Sequence, residues 1–187
     1  VHSFVLMPNH VHILATSRAE YGASRMMQDL GRAYVSHVNK LHGRTGALYE
    51  GRFKSSLVET ARYFLACMRY IEMNPVRARL TSNPADFEWS SYGQNITGEP
   101  TGLVSPHAEY LDLGRDAAER AKCYGRLFEQ PQEDEEVNAI RCGVNQGKAV
   151  GSDAYRQHLA KFLGRSMEFV PQGRRACSVP FSSKKGL

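Results

Sequence analysis

The sequence predicts an α+β protein in which a β-hairpin opens the chain, amphipathic helices pack on it, and a helical extension follows. Three observations predict this. Val1–Met7 and His10–Thr16 are apolar runs on either side of Pro8-Asn9, a strong turn signal. Met26, Met27, Leu30, Tyr34, Val38 (or His37) and Leu41 recur at three-to-four spacing, and Phe64, Leu65, Met68 and Ile71 repeat that pattern further on. Beyond residue 106 the patterning is helical.

Each element has its own justification. Strand side chains alternate faces, so His10 and His12 share one face of the returning strand with Val11 opposite. Ser24 precedes the first helix and Gly43 stops it. The polar face of that helix carries Arg25, Gln28, Arg32, Ser36 and Lys40. Leu48–Val58 is predicted as a loop feeding a strand, loosened by Gly46 and Gly51. Thr60 opens the second helix, where Tyr63, Cys67, Tyr70 and Asn74 form a second stripe until Pro75 interrupts it. Trp89 is expected to anchor the core. Residues 93–106 are rich in Gly, Pro, Thr and Ser and are predicted as a linker. Helices are expected over Tyr110–Phe128, Glu133–Cys142 and Ser152–Leu163. The division is then 1–92 as the first domain, which the resemblance given below makes the catalytic one, 93–106 as linker, 107–165 as helical extension and 166–187 as a disordered tail.

Composition narrows the function classes. The 187 residues carry a formal net charge of +5, which permits a polyanionic partner without demanding one. No stretch approaches the roughly 18 apolar residues of a membrane span. The 4 cysteines lie far apart with no Cys-x-x-Cys pair, which fits a reducing compartment and argues against a zinc knuckle.

The chemistry follows from what two imidazoles on one strand can hold. If the Tyr70/Asn74 face of the second helix packs over His10 and His12, Asn74 adds an oxygen to the two nitrogens and Tyr70 lies beside the ion. Open positions on such an ion let it polarise a substrate oxygen. A phosphodiester needs that help, because its charged oxygens repel a nucleophile. A tyrosine attacking phosphorus holds the cut strand covalently, so the strand can be rejoined. A free phenol ionises near pH ~10, so Tyr70 needs a base or the metal. Tyr63 is the competing phenol, but its i+4 neighbour is Cys67, a poor partner for a hard ion.

Four stretches extend this reading: Leu6-Met7-Pro8-Asn9-His10-Val11-His12-Ile13-Leu14, Tyr49-Glu50-Gly51-Arg52-Phe53, Tyr70-Ile71-Glu72-Met73-Asn74-Pro75-Val76-Arg77-Ala78 and Trp89-Ser90-Ser91-Tyr92. In these the chain resembles the single-tyrosine HUH transposases, and most of all the REP-associated tyrosine transposases. The resemblance implies His10 and His12 as the HUH pair, Asn74 as third metal ligand and Tyr70 as nucleophile. It implies Mg2+ or Mn2+, and cleavage of single-stranded or hairpin DNA to a 5′-phosphotyrosine and a free 3′-hydroxyl. It implies a ferredoxin-like antiparallel sheet with helices on one face, whose first strand and first helix are expected to be missing before Val1. It also implies a bacterial, cytoplasmic, nucleoid-associated protein, monomer or homodimer, with no membrane partner.

Arg44, Arg52 and Lys54 flank the expected cleft and are candidates for DNA backbone contact. Arg25, Arg32 and Lys40 form a second candidate stripe. Tyr49, Phe53 and, in a second reading, Trp89 could stack on unpaired bases. Two other functions stay open at this point: a catalytically inactive or domesticated hairpin-DNA-binding protein, and a metal-dependent hydrolase with water as nucleophile.

Overall fold

A computed structural model describes residues 1–60, 62–99 and 102–170. It is an α+β structure with a two-stranded antiparallel sheet, eight α-helices among the described residues and a helical C-terminal part. Strands β1 (Ser3–Leu6) and β2 (Val11–Leu14) are joined through the predicted turn, closed by Met7 N–H donating to the His10 carbonyl at 2.9 Å. The register pairs Val5 with His12 and Ser3 with Leu14. Ser3, Val5 and Leu14 are buried, so one sheet face is the core face, and His12 shares it. Leu6 and Val11 stand on the other face and are exposed.

Helix α1 (Gly22–Leu41) matches the first apolar repeat and ends at His42 and Gly43, which has φ +60°. None of its residues is buried, so the apolar stripe that predicted it stays largely in solvent. Helix α2 (Arg62–Glu72) is the core helix. It packs across both strands through Phe64, Met68 and Ile71. Each of these large apolar side chains contributes about 1.5–3 kcal/mol by leaving water.

The strand expected within Leu48–Val58 does not form. The outer edge of β1 is taken by residues 89–91, through Leu6 N–H to the Trp89 carbonyl and Ser91 N–H to the Phe4 carbonyl, at 2.8 and 2.9 Å. Residues 57–59 instead bridge to Val150, on the turn that follows Gly147. Trp89 is exposed rather than an anchor of the core.

Past the short helix α3 (Asn74–Arg77), the stretch expected as a linker begins with a helix, α4 (Tyr92–Thr97). The helix expected over Tyr110–Phe128 is two, α5 (Ala108–Leu111) and α6 (Ala117–Arg126). The break is built locally. Asp116 caps α6 by accepting from Glu119 N–H at 2.8 Å, and a Cβ on Gly114 would come within 2.7 Å of the Arg120 nitrogen. Helix α7 (Asp134–Gln146) runs past Cys142, because Gly147 at φ +62° supplies the left-handed end. Ser152 caps α8 (Asp153–Leu163), as its sequence position predicts. In the expected tail, Met167 is buried and the Gln146 amide brackets Val170 N–H and C=O at 2.9 and 2.7 Å; residues 171–187 lie outside the described residues.

The extension shares the core of the hairpin and α2, since Tyr110, Tyr124, Val137, Ile140 and Val150 join Val5, Phe64 and Met68 in one cluster. Its polar centre is Glu72, fully buried on α2. Its Oε1 accepts from Ser91 Oγ at 2.6 Å, Asn95 Nδ2 at 2.7 Å and Ser3 Oγ at 3.3 Å. Its Oε2 accepts from Tyr124 Oη at 2.7 Å. One carboxylate therefore ties β1, α2, α4 and α6 together.

Candidate active site

The site lies where the end of α2 crosses the hairpin. His12 faces the core because Val5, directly across the sheet, is fully buried. His10 lies two residues back, at the end of the turn, and its ring is 4.9 Å from that of His12. His10 Nδ1 stands 2.6 Å from Asn9 Oδ1. An amide oxygen only accepts, so Nδ1 is the donor in this contact and Nε2 is the ring nitrogen left outside it. Burial, with His10 and Arg77 nearby, pushes the His12 imidazole down to about 4, so it is neutral at ordinary pH.

Tyr70 meets this pair from α2. Its ring centre is 5.8 Å from that of His12, in an edge-on contact. The residue is 7% exposed, yet its hydroxyl has no hydrogen-bond partner among the described residues and is not sealed from solvent. The competing phenol, Tyr63, is half-buried at the rim of the core and makes no ring contact with either histidine. Burial pushes the Cys67 thiol up to about 12, so it stays neutral and offers no thiolate.

Asn74 owes its orientation to Pro75. Proline has no N–H to give the Ile71 carbonyl. The Asn74 amide donates there instead at 3.3 Å, and to the Tyr70 carbonyl at 2.9 Å. With Nδ2 committed to the backbone, Oδ1 is left without a partner among the described residues. Two imidazole nitrogens and an amide oxygen are a donor set that fits a divalent cation with open positions. No group of three or more His, Cys, Asp or Glu among the described residues could hold one.

Two residues without a predicted role belong to this neighbourhood. Arg77 lies over the Tyr70 ring, 4.4 Å from its centre, and donates to the Tyr70 carbonyl. Its spacing, two helical turns past Tyr70, is the signal that could have found it. Glu72 falls four residues after Met68, on the apolar stripe of α2, where a carboxylate needs partners. None of the candidate DNA residues hydrogen-bonds to this cluster among the described residues. Arg25, Arg32 and Lys40 are exposed along α1, Arg44 and Arg52 are exposed in the loop after it, and Lys54 is held by Asn145 Oδ1 at 3.2 Å.

Comparison with known families bears on this geometry. Residues 1–74 match the family described as Transposase IS200 like. Comparisons with curated proteins and with solved structures gave no match. The IS200-like stretch holds both histidines and Tyr70 and ends on Asn74. It supports a transposase, an enzyme that cuts and rejoins DNA. Arg77 and three of the four partners of Glu72 lie beyond it. Among the described residues no helix is long and apolar enough to cross a membrane.

Proposed function

We propose that this chain is a metal-dependent transposase that cleaves and rejoins hairpin-containing single-stranded DNA through a 5′-phosphotyrosine on Tyr70, as the REP-associated tyrosine transposases do. The observation that carries this reading is the edge contact of Tyr70 with His12, on the sheet face where His10 also stands.

His10 Nε2, His12 and Asn74 Oδ1 would hold Mg2+ or Mn2+. Such an ion, when bound, draws charge from a non-bridging phosphate oxygen and favours attack at phosphorus. The Tyr70 oxygen forms the new bond to phosphorus, and the bond from phosphorus to the 3′ oxygen breaks. The phenol proton leaves to water, and the departing 3′ oxygen takes one up. Attack by a 3′-hydroxyl on the phosphotyrosine reverses the step and rejoins a strand. The exposed rings of Tyr49, Phe53 and Trp89 suit stacking on unpaired bases. The exposed arginines of α1 and its loop suit the phosphate backbone. A nucleoid-associated protein in a bacterial cytoplasm, as monomer or homodimer, fits this activity.

The test is a labelled hairpin single strand incubated with the protein and Mn2+, then denatured. A covalent adduct that requires the metal is the expected result. Asn74→Ala should raise the Mn2+ concentration needed for half-maximal adduct by about 10-fold or more, whereas Asn74→Asp, which keeps an oxygen donor, should not. Equal metal requirements for the alanine variant and the parent would remove Asn74 from the ligand set.

A further inference from the structure

Helix α3 with the preceding Met73 and the start of α7 flank a cleft of about 280 Å³, lined among others by Met73, Arg77, Gln132, Val137 and Arg141. We propose that Arg77 and Arg141 form a phosphate subsite there, taking a phosphodiester of single-stranded DNA next to the bond that Tyr70 attacks. Its place along the strand rests on the function proposed above; its affinity for phosphate does not.

Four observations carry the assignment. First, the two arginines lack counter-charges. The ion pairs among the described residues join Arg62 to Glu133 and Glu136, and Arg156 to Asp153. Asp134 also lines the cleft, but it is exposed and pairs with neither arginine. Second, Arg77 is held in place before any ligand arrives. Its guanidinium lies over the Tyr70 ring and donates to the Tyr70 carbonyl, and its Nη1 faces Gln132 Oε1 at 3.5 Å. Gln132 is itself fixed, donating to the Ala66 carbonyl at 3.0 Å and to Glu136 Oε2 at 2.8 Å. Third, the Arg77 Nε–H is buried without a partner. An unmatched donor on a fixed cation is a cost that a nearby anion offsets. Fourth, burial pushes the Arg77 guanidinium down to about 10, opposed by Tyr70, while Arg141 and Arg69 add repulsion that an anion between the arginines relieves.

The cleft is close to the lower bound of ligand sites, about 300 Å³, which suits one nucleotide unit. Guanidinium groups match phosphate oxygens in pairs. Arg141 belongs to α7, outside the stretch that matches the transposase family. The helical extension would then supply part of the DNA site as well as part of the core.

The test uses the full chain carrying Tyr70→Phe, so that binding is read without covalent capture. Affinity for a fluorescent single strand is measured over a range of salt concentrations. Arg141 is exposed, so Arg141→Gln should fold normally. It is expected to weaken binding about 3- to 10-fold, equally for strands of different sequence, and to lower the salt slope by about one ion. Lys122→Gln, an exposed change on α6, should do neither. Unchanged affinity and slope in Arg141→Gln overturn the subsite, as does an equal loss in Lys122→Gln. Inorganic phosphate is the second probe. Saturable phosphate binding lost in Arg141→Gln while DNA binding stays intact would mark a free-phosphate site and overturn the DNA assignment. Absence of an adduct with the native chain, together with the expected Arg141→Gln loss, would sink the cutting reaction and leave the subsite standing.

Discussion

Tyr70→Phe is expected to abolish the covalent DNA adduct, lowering its rate of formation by about 10³-fold or more, while the protein stays folded. The substitution removes one oxygen. The ring that touches His12 and lies under Arg77 is retained. The hydroxyl has no hydrogen-bond partner among the described residues, so its loss leaves no donor or acceptor stranded. The stability change should therefore be within about 0.5 kcal/mol. The chemical loss is large because the oxygen is the nucleophile, and removal of a nucleophile removes the covalent route entirely. Denaturing gels of labelled DNA check the first half, and thermal unfolding checks the second. An adduct that persists would move the nucleophile elsewhere, with Tyr63 next in line. DNA cut by the native chain without any adduct would mean that water attacks in place of tyrosine. Tight binding with neither cut nor adduct would describe a hairpin-binding protein that has lost its chemistry.

The ring contacts of the candidate site, His10 with His12 and His12 with Tyr70, were legible in the sequence as far as short-range rules reach. His10 and His12 are two apart, and the strand period alone puts them on one face. Tyr70 and Asn74 are four apart, a spacing that predicts one side of a helix, although α2 ends at Glu72 and Asn74 opens α3. That Tyr70 lies against His12 is a tertiary fact, shown by their rings at 5.8 Å and not by either spacing. Arg77 escaped notice for a related reason. It lies past Pro75, which the sequence marks as a helix break, and its contact with Tyr70 depends on α3 continuing the line of α2. The strand expected in Leu48–Val58 failed because strand patterning says nothing of which edge is free, and residues 89–91 hold the edge of β1. The apolar stripe of α1 predicted the helix correctly but not its burial. Periodicity gives the face of a helix, whereas what covers that face is decided by the rest of the fold.

The second large effect is on stability. Glu72→Ala should lower the unfolding free energy by about 3–5 kcal/mol, a substantial part of the 5–15 kcal/mol typical of a folded domain. The deletion takes an acceptor from several donors at once in a dry interior. Tyr124 Oη would lose its partner, Asn95 Nδ2 would keep only the His2 carbonyl at 3.4 Å, and the hydroxyls of Ser3 and Ser91 would keep each other at 3.0 Å and, for Ser91, the Phe4 carbonyl at 3.2 Å and the Phe4 N–H, which donates to it at 2.9 Å. Each unmatched buried group costs about 1–3 kcal/mol, and the lost side-chain volume adds a cavity. Glu72→Gln separates this network from mere packing. It has the same shape and keeps an oxygen to accept from Ser91 and Asn95, so it should recover most of the loss. Urea unfolding of the three proteins checks the order native, Gln, Ala. Because Glu72 lies midway between Tyr70 and Asn74, loosening it should also slow adduct formation in the alanine variant, and the glutamine variant should restore the rate along with the fold. An alanine variant within 1 kcal/mol of the parent would mean that water or rearranged hydroxyls take over the carboxylate's bonds, and that α2 is positioned against the hairpin by apolar contact alone.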